Sequence, residues 1–176
     1  MISKYKYKGL LWIDLQSPRA EEAESILEEF ELPDSLKDKI CKPHNASMTS
    51  PELDFTHSVL LFPKLDTNTN KFTNQEIGFI IGKNFLITTH YEFIKVLDDF
   101  AKKFEAEELL EANVRLTNSA SLFYYLIQIL TDSIVDQVSY TPAVAQKPST
   151  KSSSSMPLIF VTITILVVIG IIFYLK

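Results

Sequence analysis

Cysteine occurs once, at Cys41, so no disulfide can form within the chain, and an oxidised secreted scaffold is excluded. Glycine occurs four times in 176 residues, at positions 9, 78, 82 and 170, which leaves no room for a glycine-rich phosphate loop. Positive charge is in deficit. The 17 Lys and Arg face 22 Asp and Glu, a net charge of −5, whereas a nucleic-acid surface requires a basic face. There is no Gly-x-Ser-x-Gly element, no clustered acid–base pair and no nucleophile–histidine pairing, so the chain is not read as an enzyme. Cys41-Lys42-Pro43-His44 has the spacing of half a metal site, but zinc takes three or four protein ligands and no second cluster follows. Chance spacing is the better reading there. His57 and His90 fall at strand ends, where surface or packing roles are expected.

Apolar residues, in contrast, are plentiful at 46%, and they are unevenly spread. From Met156 to Leu175 the chain reads MPLIFVTITILVVIGIIFYL, with no charge before Lys176. Twenty helical residues cover about 30 Å, the thickness of a bilayer's hydrocarbon core. Fourteen of them are Leu, Ile, Val or Phe, worth roughly −4 to −8 kcal/mol of insertion free energy. Met156, Pro157, Ile165, Gly170 and Leu175 mark the expected membrane span. No signal-peptide pattern precedes it, because the apolar stretch Leu10–Leu15 is short and is broken by Asp14. Lys147 and Lys151 lie before the span and Lys176 after it, which favours an inside N-terminal flank. The expected organisation is a soluble domain over 1–139, a Pro- and Ser-rich linker over 140–155 and a single C-terminal anchor over 156–175. Localisation follows as single-pass membrane with the N-terminal domain cytoplasmic.

Within 1–139 the pattern is mixed α and β. Tyr7–Leu15 is a strand candidate. Ser17 is expected to cap a helix with Pro18 at its first position, and Ala20, Ala23, Leu27 and Phe30 form its apolar stripe. Pro33 ends that helix, and a short second one is expected over Asp34–Ile40. His57–Leu65, Gln75–Ile81 and Phe85–Thr89 read as strands, the last two joined by Gly82-Lys83-Asn84. One helix follows on the stripe Phe93, Val96, Leu97, Phe100 and Phe104. Another begins near Ser119, with Leu122, Phe123, Leu126, Ile127, Leu130, Ile134, Val135 and Val138 at helical spacing. The carboxylates Glu105, Glu107, Glu108 and Glu111 read first as a solvated helical face. Glu105, Glu108 and Glu111 are weak candidates for holding a hydrated divalent cation.

Three segments carry a family likeness. Trp12-Ile13-Asp14-Leu15 followed by Ser17-Pro18 resembles the opening motif of the CorA magnesium transporter family. The run from Glu76 through Gly82, Asn84 and Thr88 to His90 is similar to that family's hairpin. Ser121–Leu126 continuing to Asp132 and Asp136 resembles its following helix. The resemblance implies an α/β fold, an αβα-sandwich cytoplasmic domain of CorA type. It implies magnesium or another divalent cation as cargo or weakly bound ion, with no resident cofactor. Family members assemble as pentamers largely through stalk and pore helices.

The departures from the family are as informative as the matches. No Gly-Met-Asn occurs in the chain, and where the family's stalk helix would continue there is a proline–serine stretch. The span from Met156-Pro157 is similar to the family's second, lipid-facing helix, yet a cytoplasmic N-terminal domain would make it run the opposite way. Its Thr162 and Thr164 point to different sides of a 3.6-residue helix, so no oxygen-lined path arises. The expectation is a CorA-like divalent-cation transport protein that does not conduct alone and acts as partner or regulatory subunit of a complete homologue. The alternative is a tail-anchored binding or sensing module without transport. Expected partners are the membrane and a full-length CorA-type homologue, with no nucleic acid, and association of the chain with itself is expected to be weak.

Overall fold

Lys8 and Gly9 both take positive φ, 44° and 85°. This is the two-residue mirror-image turn that suits the right-handed twist of paired strands. It breaks the expected strand Tyr7–Leu15 into a hairpin of β1 (Ile2–Tyr7) and β2 (Leu10–Gln16). β1 escaped the sequence reading because its alternation is lysine against tyrosine. Tyr5 stacks on Trp12 at 4.8 Å between ring centroids, and Tyr7 meets Phe104 at 5.9 Å.

The computed structural model describes residues 1–66, 68–69, 71–106 and 116–139, the last four as backbone only. After β2 come α1 (Ala20–Glu29), a single 3₁₀ turn (Asp34–Leu36) and α2 (Lys37–Cys41). Then follow β3 (Met48–Pro51), β4 (Phe55–Asp66), β5 (Lys71–Gly82), β6 (Phe85–His90), α3 (Lys95–Glu105) and α4 (Ser119–Ser139). The six strands form one mixed sheet in the order β1-β2-β6-β5-β4-β3. β2 and β6 run parallel, and every other adjacent pair is antiparallel.

Alternation along the central strands supplies both faces with apolar groups. Ile13, Leu15, Ile80 and Ile87 pack against Ala23, Ile26 and Leu27 of α1 and against Leu36 and Ile40 below it. On the opposite face Trp12 meets Phe100 and Phe104 of α3 at 5.0 and 5.8 Å, and Phe79 meets Phe123 of α4 at 5.0 Å. Helices therefore cover both sides of the sheet. Each such fully buried Ile, Leu or Phe contributes roughly 1.5–3 kcal/mol of transfer free energy.

Several boundaries differ from expectation. Ser17 does not cap α1. It takes φ 46° and donates its hydroxyl to the Tyr91 carbonyl at 2.9 Å, so Arg19 is the cap residue and Pro18 lies buried just before the helix. The Glu22 carboxylate accepts the Arg19 N–H at 2.8 Å instead. Ala20 is exposed and Ile26 takes the core position; likewise Phe93 lies outside α3 and is exposed, with Ile94 buried in its place. β3 and the first third of β5 were not expected, being polar.

β4 outruns β3, which pairs only with Thr56–Val59. On the outer edge beyond it, the Leu61 N–H donates to the Ser47 hydroxyl at 3.3 Å. Pro63, two residues on and facing the same way, has no N–H to offer. That edge is blunted against strand addition.

At the β5–β6 turn, a Cβ on Gly82 would lie 2.2 Å from the Phe85 ring, which is itself stacked on Phe30 at 4.6 Å. Gly82→Ala must push the ring off its partner. The expected outcome is a loss of about 1–3 kcal/mol in urea denaturation, typical of overpacking.

Candidate functional site

β2 and β6 end side by side, Gln16 opposite His90, and their following helices leave to opposite faces of the sheet. Crevices at such points commonly receive ligands in α/β proteins. Here the chain itself bridges the strand ends. The Ser17 N–H donates to the His90 carbonyl at 2.8 Å, and the Met1 ammonium donates to the Gln16 carbonyl at 2.8 Å.

Just inside that end lies a connected line of polar side chains on the α3 and α4 face. The Trp12 indole Nε1–H donates to Thr88 Oγ1 at 3.0 Å, and the Thr88 hydroxyl donates to Asp14 Oδ1. His90 Nε2 lies 3.1 Å from Asp14 Oδ2, and its Nδ1 lies 2.6 Å from the Glu92 carbonyl. Trp12 and Thr88 are 0% exposed and His90 is 3% exposed. Both ring nitrogens of His90 face acceptors, which suits the doubly protonated imidazolium. Burial pulls its pKa down, but the hydrogen bond and charge of Asp14 and the Glu92 carbonyl outweigh that, holding it above the ordinary histidine value. This arrangement fixes two strands and a loop through buried hydrogen bonds.

Four of the residues picked out by resemblance, Trp12, Asp14, Thr88 and His90, are thus brought together, the parallel register setting Asp14 opposite Thr88. The others are dispersed. Pro18 lies at the entry to α1, Gly82 ends β5, and the Asn84 carbonyl accepts the Leu11 N–H at 3.0 Å. Asp132 is exposed on α4, and the side chain of Asp136 lies outside the described residues. Glu105 is exposed at the end of α3, whereas Glu107, Glu108 and Glu111 lie outside the described residues, as do Met156, Pro157, Ile165, Gly170 and Leu175. Among the described residues no helix is long and apolar enough to cross a membrane, and no group of three His, Cys, Asp or Glu is placed to hold a metal.

A second polar cluster, on the α1 and α2 face, was not read as a unit. The Glu76 carboxylate accepts the backbone N–H of His44 at 2.8 Å and that of Asn45 at 2.7 Å, with His44 Nδ1 at 3.3 Å. His44 therefore serves a carboxylate anchor together with Asn45. The His57 ring sits 6.1 Å from the His44 ring between centroids, is 3% exposed, and has no hydrogen-bond partner at Nδ1. Burial above all, then the charges of Lys39 and His44, lowers its pKa to about 4. The Tyr91 hydroxyl donates to the Ile40 carbonyl at 3.0 Å, and burial raises its pKa. Burial also pushes the Cys41 thiol up, leaving little thiolate for chemistry. A histidine just ahead of the apolar run Val59–Phe62 of β4 was the available signal for this cluster.

The fold has clear counterparts among solved structures. The CorA magnesium transporter from Methanocaldococcus jannaschii matches with a TM-score of 0.62 and 18% identity, over 78% of this chain and 46% of that one. The soluble domain of the same protein gives 0.58 and 20%, over 74% and 50%. The cytoplasmic domain of ZntB from Vibrio parahaemolyticus gives 0.54 and 16%, over 76% and 53%. At this identity the matches define the class, a mixed α/β domain of the kind built into these two proteins. The sequence goes further: residues 7–147 match the model of the CorA-like Mg2+ transporter protein family, and the chain belongs to that family. It spans about half the length of the structures it matches. No curated protein sequence matches it.

Two outcomes follow from the buried polar groups. Asp14→Asn removes the charge facing His90 and should cost about 1.5–3 kcal/mol, the range of a charged hydrogen bond, measured by urea denaturation at pH 7. His57 is held neutral by the fold, with a pKa of about 4 against 6.5. Its stability contribution is therefore complete above pH 6.5 and is lost as pH falls towards 4, by roughly 3 kcal/mol. His57→Leu should flatten that acid limb in denaturation series between pH 7 and 4.

Proposed function

We propose that this chain is a divalent-cation transport protein of CorA type that serves as a partner or regulatory subunit of a complete homologue and does not conduct by itself. The observation that carries the reading is a contrast within one sequence. The family match runs over residues 7–147, yet the 176 residues contain no Gly-Met-Asn. A cation entering a bilayer must exchange its water for oxygen ligands or a polar lining. The apolar segment 156–175 offers Thr162, Thr164 and Tyr174, too few and too scattered for such a lining.

On this reading 156–175 is the membrane anchor, 140–155 is the tether, and the α/β domain works on the cytoplasmic side. The cargo is magnesium or a similar divalent ion. Glu105, Glu108 and Glu111 are the residues for weak cation contact, a role that suits their crowding of negative charge at the end of α3 and beyond it. The complete homologue supplies the pore.

Expression of this chain alone in a cell deficient in magnesium uptake should leave uptake at background. Affinity capture of the tagged chain from native membranes should recover a full-length CorA-type homologue. Magnesium entry into vesicles holding only the purified chain would overturn the non-conducting role. Capture of nothing but the chain itself would overturn the partnership.

A further inference from the structure

The loop between β6 and α3 is held unevenly. Tyr91 is fixed twice, its carbonyl taking the Ser17 hydroxyl at 2.9 Å and its own hydroxyl reaching the Ile40 carbonyl at 3.0 Å, and the preceding His90 carbonyl takes the Ser17 N–H. Glu92 is held differently. Its carbonyl meets His90 Nδ1 at 2.6 Å, and its side chain makes an exposed pair with Lys64 at 2.7 Å, a contact worth little. Phe93 is exposed, and Ile94 begins α3 without a side-chain cap. The His90 ring is therefore a polar tie between the sheet and the residues that lead into α3, beside the burial of Ile94.

We propose that Asp14, His90 and the Glu92 carbonyl form a proton-operated latch that sets the position of Glu92–Ile94 and the first turn of α3. The reasoning is one of donor count. The imidazolium has two N–H groups and satisfies Asp14 and Glu92 together. A neutral ring has one. Turning a bare nitrogen towards the Asp14 carboxylate sets a lone pair against a negative charge, so the remaining proton stays on Nε2. Nδ1 then faces the Glu92 carbonyl lone pair to lone pair at a distance that requires a hydrogen, and the loop must move.

The charged groups around the ring are known from each side. Asp14 on β2 favours the imidazolium, and the Met1 ammonium at the start of β1 opposes it. β5 presents apolar Ile77 opposite His90, and Lys64 of β4 is engaged with Glu92. On α3 the charges of Asp98 and Glu105 act on Tyr5 of β1, and Asp98 is paired to Lys102. Because the ring's pKa stands above the ordinary value, the latch is closed at and below pH 6.5 and opens as pH rises through that higher value. α3 carries Phe100 and Phe104 onto Trp12, so an opened latch reaches the aromatic packing of that face. The device operates whether or not the chain acts in transport.

The single tryptophan makes this measurable, since Trp12 Nε1–H is joined to the ring through Thr88 and Asp14. In the ¹⁵N-labelled full chain between pH 5.5 and 9, the Trp12 indole resonance should titrate with a midpoint above 6.5. Corrected amide exchange from Glu92 to Val96 should rise by about tenfold across the same midpoint. Thr88→Val should silence the indole titration and leave that of the loop amides; His90→Gln should abolish both. Loop exchange independent of pH, or an unchanged loop midpoint in His90→Gln, would overturn the latch. Should His90→Gln fail to fold, the ring nitrogens of the wild-type chain decide the matter. Nδ1 losing its proton first supports the latch, and Nε2 losing it first overturns it.

Discussion

A carboxylate drawn partly out of water needs hydrogen-bond partners for its oxygens, and Asp14, its side chain 17% exposed, finds them on one neighbouring strand. Its two oxygens are served by Thr88 and His90, both on β6, so the partnership exists only if β2 and β6 lie parallel and in one register. A slip by one residue would turn Thr88 and His90 to the other face of the sheet and strand the charge. Hydrophobic area alone tolerates many arrangements. This pairing tolerates one.

From that register the layering follows. With Asp14 and Trp12 committed to one face, Ile13 and Leu15 face the other and call for the cover that α1 and α2 provide. Trp12 in turn needs an acceptor for its indole N–H and apolar cover for its ring. Thr88 gives the first, and Phe100 and Phe104 of α3 give the second. The polar line and the aromatic cluster are thus one construction, built on strands more than seventy residues apart in sequence.

Much of this was legible beforehand, for identifiable reasons. The central strands and the helices carry strong apolar periodicity, and the motif segments bearing Trp12, Asp14, Thr88 and His90 stand out as residue patterns. What could not be read was their convergence, because nothing local to Asp14 announces a histidine on another strand. β1 and β3 escaped for a different reason: their strand character comes from neighbours, through the stacking of Tyr5 on Trp12 and the pairing of β3 with β4. Ser17 looked like a helix cap because serine before proline commonly is one, but a tertiary acceptor on Tyr91 competed for its hydroxyl and won. His57 was placed at a strand end, whereas β4 begins earlier, at Phe55, and encloses it.

The blunted outer edge of β4 limits how this domain can meet its neighbours. With one donor already spent on Ser47 and the next erased by Pro63, that stretch of β4 is a poor template for a foreign strand. On the far flank, β1 displays Lys4 and Lys6. Where molecules crowd side by side at high local density, the Leu61–Pro63 stretch offers a newcomer no ladder to extend, which lowers the risk of edge-to-edge aggregation there.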